Sequence, residues 1–282
     1  MKKLLFFSLL ILGLVFLYSE NTSDKYKLVK LWESEPVFQT PESVYYDTVR
    51  SICYVSNIAG QPAIKDGNGF ISKLNLNGSI ETLKWITDLN APKGMCVHND
   101  KLYVTDIDEL VEIDIEKSIV LMRSRINGAK FLNDITVDKN GVLYFSDTSN
   151  NCIYTKNNEV SIWLDDKIVS KPNGIFAEDT YLVLGNSRFL ETCDLKSNKL
   201  KIIADYGKGI DGIAADGKGN YFISDWSGNT SLVFPKGEIL QLLDTSKQNI
   251  NAADLCYITE KNILLIPTFF DNRVIAYKLI KD

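Results

Sequence analysis

Histidine is almost missing from this sequence: one, His98, stands in 282 residues. A hydrolase built on a Ser-His-Asp triad would have to use it. The run His98-Asn99-Asp100 reads as a turn between two strands, so the ring is directed away from any shared centre. Cysteine is present but unpatterned. Cys53, Cys96, Cys152, Cys193 and Cys256 are odd in number and far apart, which excludes a disulfide framework and a zinc cluster. Cys53, Cys96 and Cys256 lie inside apolar runs, where the residue serves as a small buried hydrophobe. Positive charge is not in excess: 31 Lys and Arg against 36 Asp and Glu leave a formal charge of −5. An acidic body excludes nucleic acid, which asks for a basic face. It suits a cation, or a neutral small molecule held beside one. Long amphipathic helical periodicity, low-complexity tracts and a second domain are absent as well.

What is there begins with MKKLLFFSLLILGLVFLYSENTSD, a basic start, an apolar run from Leu4 to Tyr18 and a polar exit. This is the pattern of an export signal over 1–19, followed by a linker at 20–25, and it predicts a periplasmic or secreted protein. About 15 apolar residues are short for a membrane-spanning helix, which needs about 20. The exit Leu17-Tyr18-Ser19 is a poor cleavage site, so an uncleaved membrane anchor is the competing reading. The chain as a whole holds 45% hydrophobic residues, so the rest of it, 26–282, has enough for a substantial core.

One hairpin-like stretch, FLNDITVDKNGVLYFSDTSN at 131–150, recurs along the chain. Its relatives start near Pro41, Ala91, Lys171, Gly209 and Asn251, and equivalent positions fall on Glu42, Lys93, Asn133, Asn173, Asp211 and Ala253. The spacings are 51, 40, 40, 38 and 42 residues. A period of about 40 with several strands per copy predicts a β-propeller, and six copies predict six blades. The long first spacing is accounted for by GQPAIKDGNG at 60–69, a loop expected at one mouth of the ring. The last copy has only three strand-like runs, while YKLVKLWE at 26–33 alternates as a strand ahead of the first copy. That orphan completes the final blade, which closes the ring and hides its edges.

In a propeller the innermost strands line a central channel, so the six equivalent positions converge on one mouth. Four of them, Glu42, Asn133, Asn173 and Asp211, carry oxygen. Two carboxylates and two amide oxygens make a hard-cation site, and calcium, with six to eight oxygen ligands in flexible geometry, fits it better than magnesium. Taken singly, an Asn or Asp before a glycine is a turn residue stabilising its own backbone; four at equivalent positions point to the ion. Asp106, Asp147 and Asp225 recur at the ends of second strands and read as structural. Trp163, Trp226, Phe269 and Phe270 read as packing between blades, with Trp226 and Phe269 within reach of a mouth.

The residues PES at 41–43, FLNDITVDKNGVLYFSDT at 131–148, KPNGI at 171–175 and IDGIAADGKGNYFISD at 210–225 resemble the family of senescence marker protein (regucalcin), gluconolactonase and luciferin-regenerating enzyme. The resemblance spans 26–282 and implies a calcium-dependent hydrolase of lactones or related esters in a six-bladed propeller. It places metal ligation on Glu42, Asn173 and Asp211, and substrate or metal-bound water on Asn133. The four together also resemble the squid-type diisopropyl fluorophosphatase, in which all four positions bind the catalytic calcium. Asp211 is then the residue that activates water or attacks directly. The family's Glu-Gly-Pro motif is Glu42-Ser43-Val44 here, and its substrate arginine has no clear match. Lys93 and Trp226 are the candidates for substrate contact. The alternative is an exported propeller without catalysis that binds a small ligand or a protein partner, with calcium in a structural role.

Overall fold

The hairpin at 131–150 forms in the structure, a computed structural model that describes residues 26–281. Leu132–Val137 pairs antiparallel with Leu143–Asp147. Asp138 fixes the turn, its carboxylate accepting the N–H groups of Asn140 and Val142 at 2.8 and 2.9 Å. Gly141 closes it at φ +82°, a conformation that costs a side chain and suits glycine. Cys152–Lys156 and Val160–Leu164 extend the pair to a four-stranded sheet.

Six such sheets are built, so the protein is an all-β six-bladed propeller. The blades span 41–89, 92–125, 132–164, 175–205 and 213–244, and the sixth joins 256–281 to 26–33. In that sixth blade Tyr26–Glu33 pairs antiparallel with Val274–Lys281, from Tyr26 opposite Lys281 to Glu33 opposite Ile275. The segments expected to form an export signal and linker, 1–19 and 20–25, lie outside the described residues. Among the described residues no helix is long and apolar enough to cross a membrane.

Each sheet is sandwiched between two others, so both its faces must be apolar, and the core falls into one cluster per blade interface. Ile71, Met95 and Val104 meet between the first and second blades, and Cys53, Leu265 and Val274 at the seam between sixth and first. A smaller group, Ile58, Ala91, Ile107, Ala253 and Phe269, lies where the loops of one mouth gather. All five cysteines are free thiols; four are buried and Cys256 is half-buried. Burial pushes the Cys152 and Cys193 thiols up to about 11, as for an inert packing residue.

Candidate metal and active site at the channel mouth

Two repeated devices deliver the mouth residues. The first is the aspartate that ends the second strand in three of the blades. Asp106 accepts the N–H groups of Asn90 and Ala91 at 2.8 and 2.7 Å, pinning the loop that leads to Lys93. Asp147 does the same for Lys130 and Phe131 ahead of Asn133, at 2.8 and 3.2 Å. Asp225 takes the hydroxyl of Tyr206 at 3.0 Å, in the loop before Asp211, and ties its own turn through Asn229. The structural role expected of these three is what they perform.

The second device is the hydroxyl one residue earlier, which in the same three blades latches one blade to the next. Ser146 Oγ accepts the Asp134 N–H at 3.1 Å and donates to the Asn173 carbonyl at 2.8 Å. Ser224 Oγ accepts the Gly212 N–H at 2.9 Å and donates to the Ala253 carbonyl at 2.8 Å. Thr105 Oγ1 donates to the Asn133 carbonyl. Three mouth positions are thus held through their backbones, which leaves their side chains to the channel.

The expected site residues lie as follows. Asn173 Nδ2 donates to Asp211 Oδ1 at 2.6 Å, joining two blades directly. Glu42 is buried, and its Oε2 has no hydrogen-bond partner. Burial raises its carboxyl well above the usual range, helped by the charges of Asp211 and Asp134 and opposed by Lys93. Burial likewise pushes Asp211 up to about 6, against the pull of the Asn173 hydrogen bond. Asn133 Nδ2 donates to Thr148 Oγ1 at 3.2 Å, and Thr148 donates on to the Pro172 carbonyl at 2.8 Å. Asn133 is therefore tied to the loop ahead of Asn173, not to Asn173 itself.

Lys93 is buried and already engaged. Its Nζ donates to the carbonyls of Pro62 and Ala91, each at 3.0 Å, and sits 4.3 Å from the Phe131 ring centre. The Pro62 contact also shows the 60–69 loop folded over this mouth, where it was expected. Desolvation lowers the Lys93 ammonium to about 8. Trp226 lines a cavity of about 200 Å³ together with Asn173, Asp211, Thr148 and Lys171. His98 is elsewhere, packed against Gly141 and 2.9 Å from Asn99 Nδ2.

Two carboxylates at this site were not singled out from the sequence: Asp134 and Asp254, one position past the mouth. Asp134 accepts the N–H groups of Ile135 and Ile175 at 2.6 and 2.7 Å, yet burial still pushes it up to about 7. Asp254 accepts the Ser43 hydroxyl at 2.6 Å and is raised well above its usual range by burial and by Asp134 and Glu42. Both line a second cavity of about 300 Å³ further down the inner strands, walled by apolar residues. The signal was in the glycines. A Cβ on Gly94 would sit 2.7 Å from Asp134 Oδ1, and one on Gly212 would sit 2.8 Å from Asp254 Oδ1, so glycine in the neighbouring blade makes the space.

Among the described residues no three His, Cys, Asp or Glu side chains cluster as a metal site. An ion at the mouth would therefore rest on Glu42 and Asp211 with amide oxygens completing the set. The donor chemistry fits a hard cation, and the unpartnered Glu42 oxygen is the atom that asks for one.

Fold and site together define a six-bladed propeller with an acidic, oxygen-lined channel mouth. No protein-family model matches the chain, and no curated protein matches it in sequence. Among solved structures it is similar to a streptogramin B lyase, with a TM-score of 0.67 and 11% identity over 93% of this chain and 100% of that one. It is also similar to a structure provisionally assigned as a gluconolactonase, with a TM-score of 0.66 and 15% identity over 91% of this chain and 93% of that one. At these identities the likeness establishes the propeller architecture, and activity has to be argued from the residues.

Proposed function

We propose that this protein is a calcium-dependent hydrolase of lactones or related esters, of the gluconolactonase and senescence-marker-protein kind, working at the mouth formed by Glu42, Asn133, Asn173 and Asp211. The observation that carries the reading is the buried Glu42 Oε2, unpartnered and in the field of two further carboxylates. Buried charges of one sign are costly unless a counter-charge meets them, and Lys93 spends two of its three donors on carbonyls. The four mouth side chains would hold the ion. What bound calcium supplies in such a set is positive charge against which an ester carbonyl is polarised.

The remaining work falls to the chain. Asp211, pushed up to about 6 by burial in the metal-free protein and held lower beside a bound ion, is ionised at neutral pH and placed to accept a proton from water. Asn173 engages its Oδ1, which fixes the carboxylate and leaves Oδ2 for the attacking water. Water adds across the ester C–O bond, the proton passes to the leaving alkoxide, and a lactone opens to a hydroxy acid. The cavity beside Asp211 gives the ring a place to sit.

The test is a lactone panel run in ¹⁸O-labelled water, with and without chelator, on the wild type and Asp211→Asn. The expected result is calcium-dependent release of a hydroxy acid carrying one ¹⁸O, reduced about 10²- to 10⁴-fold in the variant. An unsaturated, unlabelled product would overturn hydrolysis in favour of a lyase. No turnover, with calcium doing nothing but raising the melting temperature, would favour a ligand- or protein-binding propeller with a structural ion.

A further inference from the structure

The cavity beside Asp211 has an aromatic wall. Trp226, Phe269 and Phe270 stand mutually edge to face, with ring centres 5.5, 5.6 and 4.9 Å apart. Phe269 is the anchor. It is buried against Ile58, Ala91, Ile107 and Ala253. Its backbone is at φ +49°, in the left-handed region that bulky residues avoid unless surrounding structure enforces it. With Phe269 held this way, the other two rings are displayed: Trp226 is 46% exposed and Phe270 61%. The Trp226 backbone is also tied down, its carbonyl accepting from Asn251 Nδ2 at 2.8 Å. Of the three rings Trp226 lines the cavity that contains Asn173 and Asp211, and Phe270 extends that aromatic surface outward from it.

Three of the polar side chains that line that cavity are already engaged, which leaves Lys171, Ser187 and Asp211 Oδ2 for a ligand's polar groups. Thr148 accepts from Asn133 and donates to Pro172. Asn186 accepts from the N–H groups of Arg188 and Phe189 and donates to Glu191. Asn173 gives its amide to Asp211. A polyhydroxylated ring needs several directed partners, since each hydroxyl left without one costs binding energy. A flat apolar ring needs only faces to lie against.

We propose that Trp226 and Phe270, propped by Phe269, are the specificity-determining platform of this site. The substrate class is a lactone or ester carrying an aromatic or flat apolar group, not a sugar lactone. This rests on the esterolytic reading of the mouth, so binding has to be measured apart from turnover.

The discriminating pair is a benzo-fused δ-lactone and glucono-δ-lactone, which share a six-membered ester ring and differ in what it carries. Their lactams, which are not hydrolysed, report binding alone by calorimetry on the calcium-loaded protein. The benzo-fused lactam is expected to bind, and Trp226→Ala to weaken it about tenfold, with Trp226→Phe restoring most of the loss. Gluconolactam is expected to bind at least about tenfold more weakly than its partner. In turnover the benzo-fused lactone should have the higher kcat/KM, with Trp226→Ala acting mainly on KM. Phe270→Ala, at a more exposed position, supplies a second variant should Trp226→Ala fail to fold. Equal binding of the two lactams, or benzo-fused binding untouched by both variants, would overturn the platform even if lactones are hydrolysed. Binding that depends on Trp226 without any turnover would uphold the ligand class while sinking the hydrolase.

Discussion

Glu42, Asp134, Asp211 and Asp254 feel one another's charge in a desolvated channel, with the Lys93 ammonium beside them. All four carboxyls are raised, Asp211 to about 6 and Asp134 to about 7. In the unfolded chain such groups release their protons near their ordinary values, about 4. Between that value and about 7 the folded, metal-free protein holds more protons than the unfolded one, so its stability falls as pH rises through this window. The contribution is fully present below about pH 4 and is lost as pH rises through about 6 for Asp211 and about 7 for Asp134. Surface aspartates such as Asp205, held low by Arg188, act in the opposite direction but are exposed and screened. Chelated protein should therefore melt higher at pH 5 than at pH 7.5, Asp134→Asn should flatten that difference, and calcium at pH 7.5 should restore the lost stability by mass action. A chelated protein with the same melting temperature at both values would mean that the four carboxyls are not under electrostatic load.

At the scale of strands and loops, the recurring pair of a hydroxyl and an aspartate at the end of a second strand converts a repeat into a site. The aspartate half was legible in the sequence, because V-T-D, F-S-D and I-S-D repeat at one position and a repeated carboxylate is better explained by backbone than by chemistry. The hydroxyl half was not. Serine and threonine are common in strands, and only the structure shows Ser146 reaching from the Asp134 N–H to the Asn173 carbonyl of the next blade. The contact between Asn173 and Asp211 was legible for a related reason: period fixes position along the chain, and equal positions of neighbouring blades lie side by side. What periodicity cannot give is which neighbour a side chain chooses. Asn133 turns to Thr148, and Asp134 and Asp254 enter the channel because Gly94 and Gly212 beside them lack a Cβ. Ser146→Ala should leave a buried N–H and a buried carbonyl without partners, at a cost of about 1–3 kcal/mol. For a domain of this size that is a drop of about 2–4 °C per kcal/mol, read by thermal melting, with weakened calcium binding as Asn173 loosens. A melting temperature within about one degree of wild type would show that water replaces the latch.

For the molecule as a whole, the ring has one seam, and the seam runs through the site. Tyr26–Glu33 completes the sixth blade, its Tyr26 ring tilted against Phe234 at 5.8 Å between centres. Where the sixth blade meets the first, the Asp254 N–H donates to the Glu42 carbonyl at 3.0 Å, and the Ser43 hydroxyl donates to Asp254 at 2.6 Å. Closure and the placing of Glu42 are thus linked through the sixth blade, which meets the first at its inner edge and whose outermost strand is Tyr26–Glu33, paired with Val274–Lys281. Removing residues 1–33 should bare the edge of Val274–Lys281, a template for pairing with other chains, and release the seam. The expected result is a melting temperature lower by about 10 °C or more, self-association on sizing columns and loss of calcium-induced stabilisation. The register supplies the control. Tyr26 lies opposite Lys281, so a short loop from the C-terminus into 26–33 makes an ordinary antiparallel hairpin. A permuted chain that begins at Ser34 and ends with this added strand should recover the wild-type melting temperature, the wild-type elution on sizing columns and the calcium response together. If the truncated chain melts like the intact one, the strand is ornament. If the permuted chain restores stability but not calcium binding, closure and site are separable, and the orphan strand serves the fold alone.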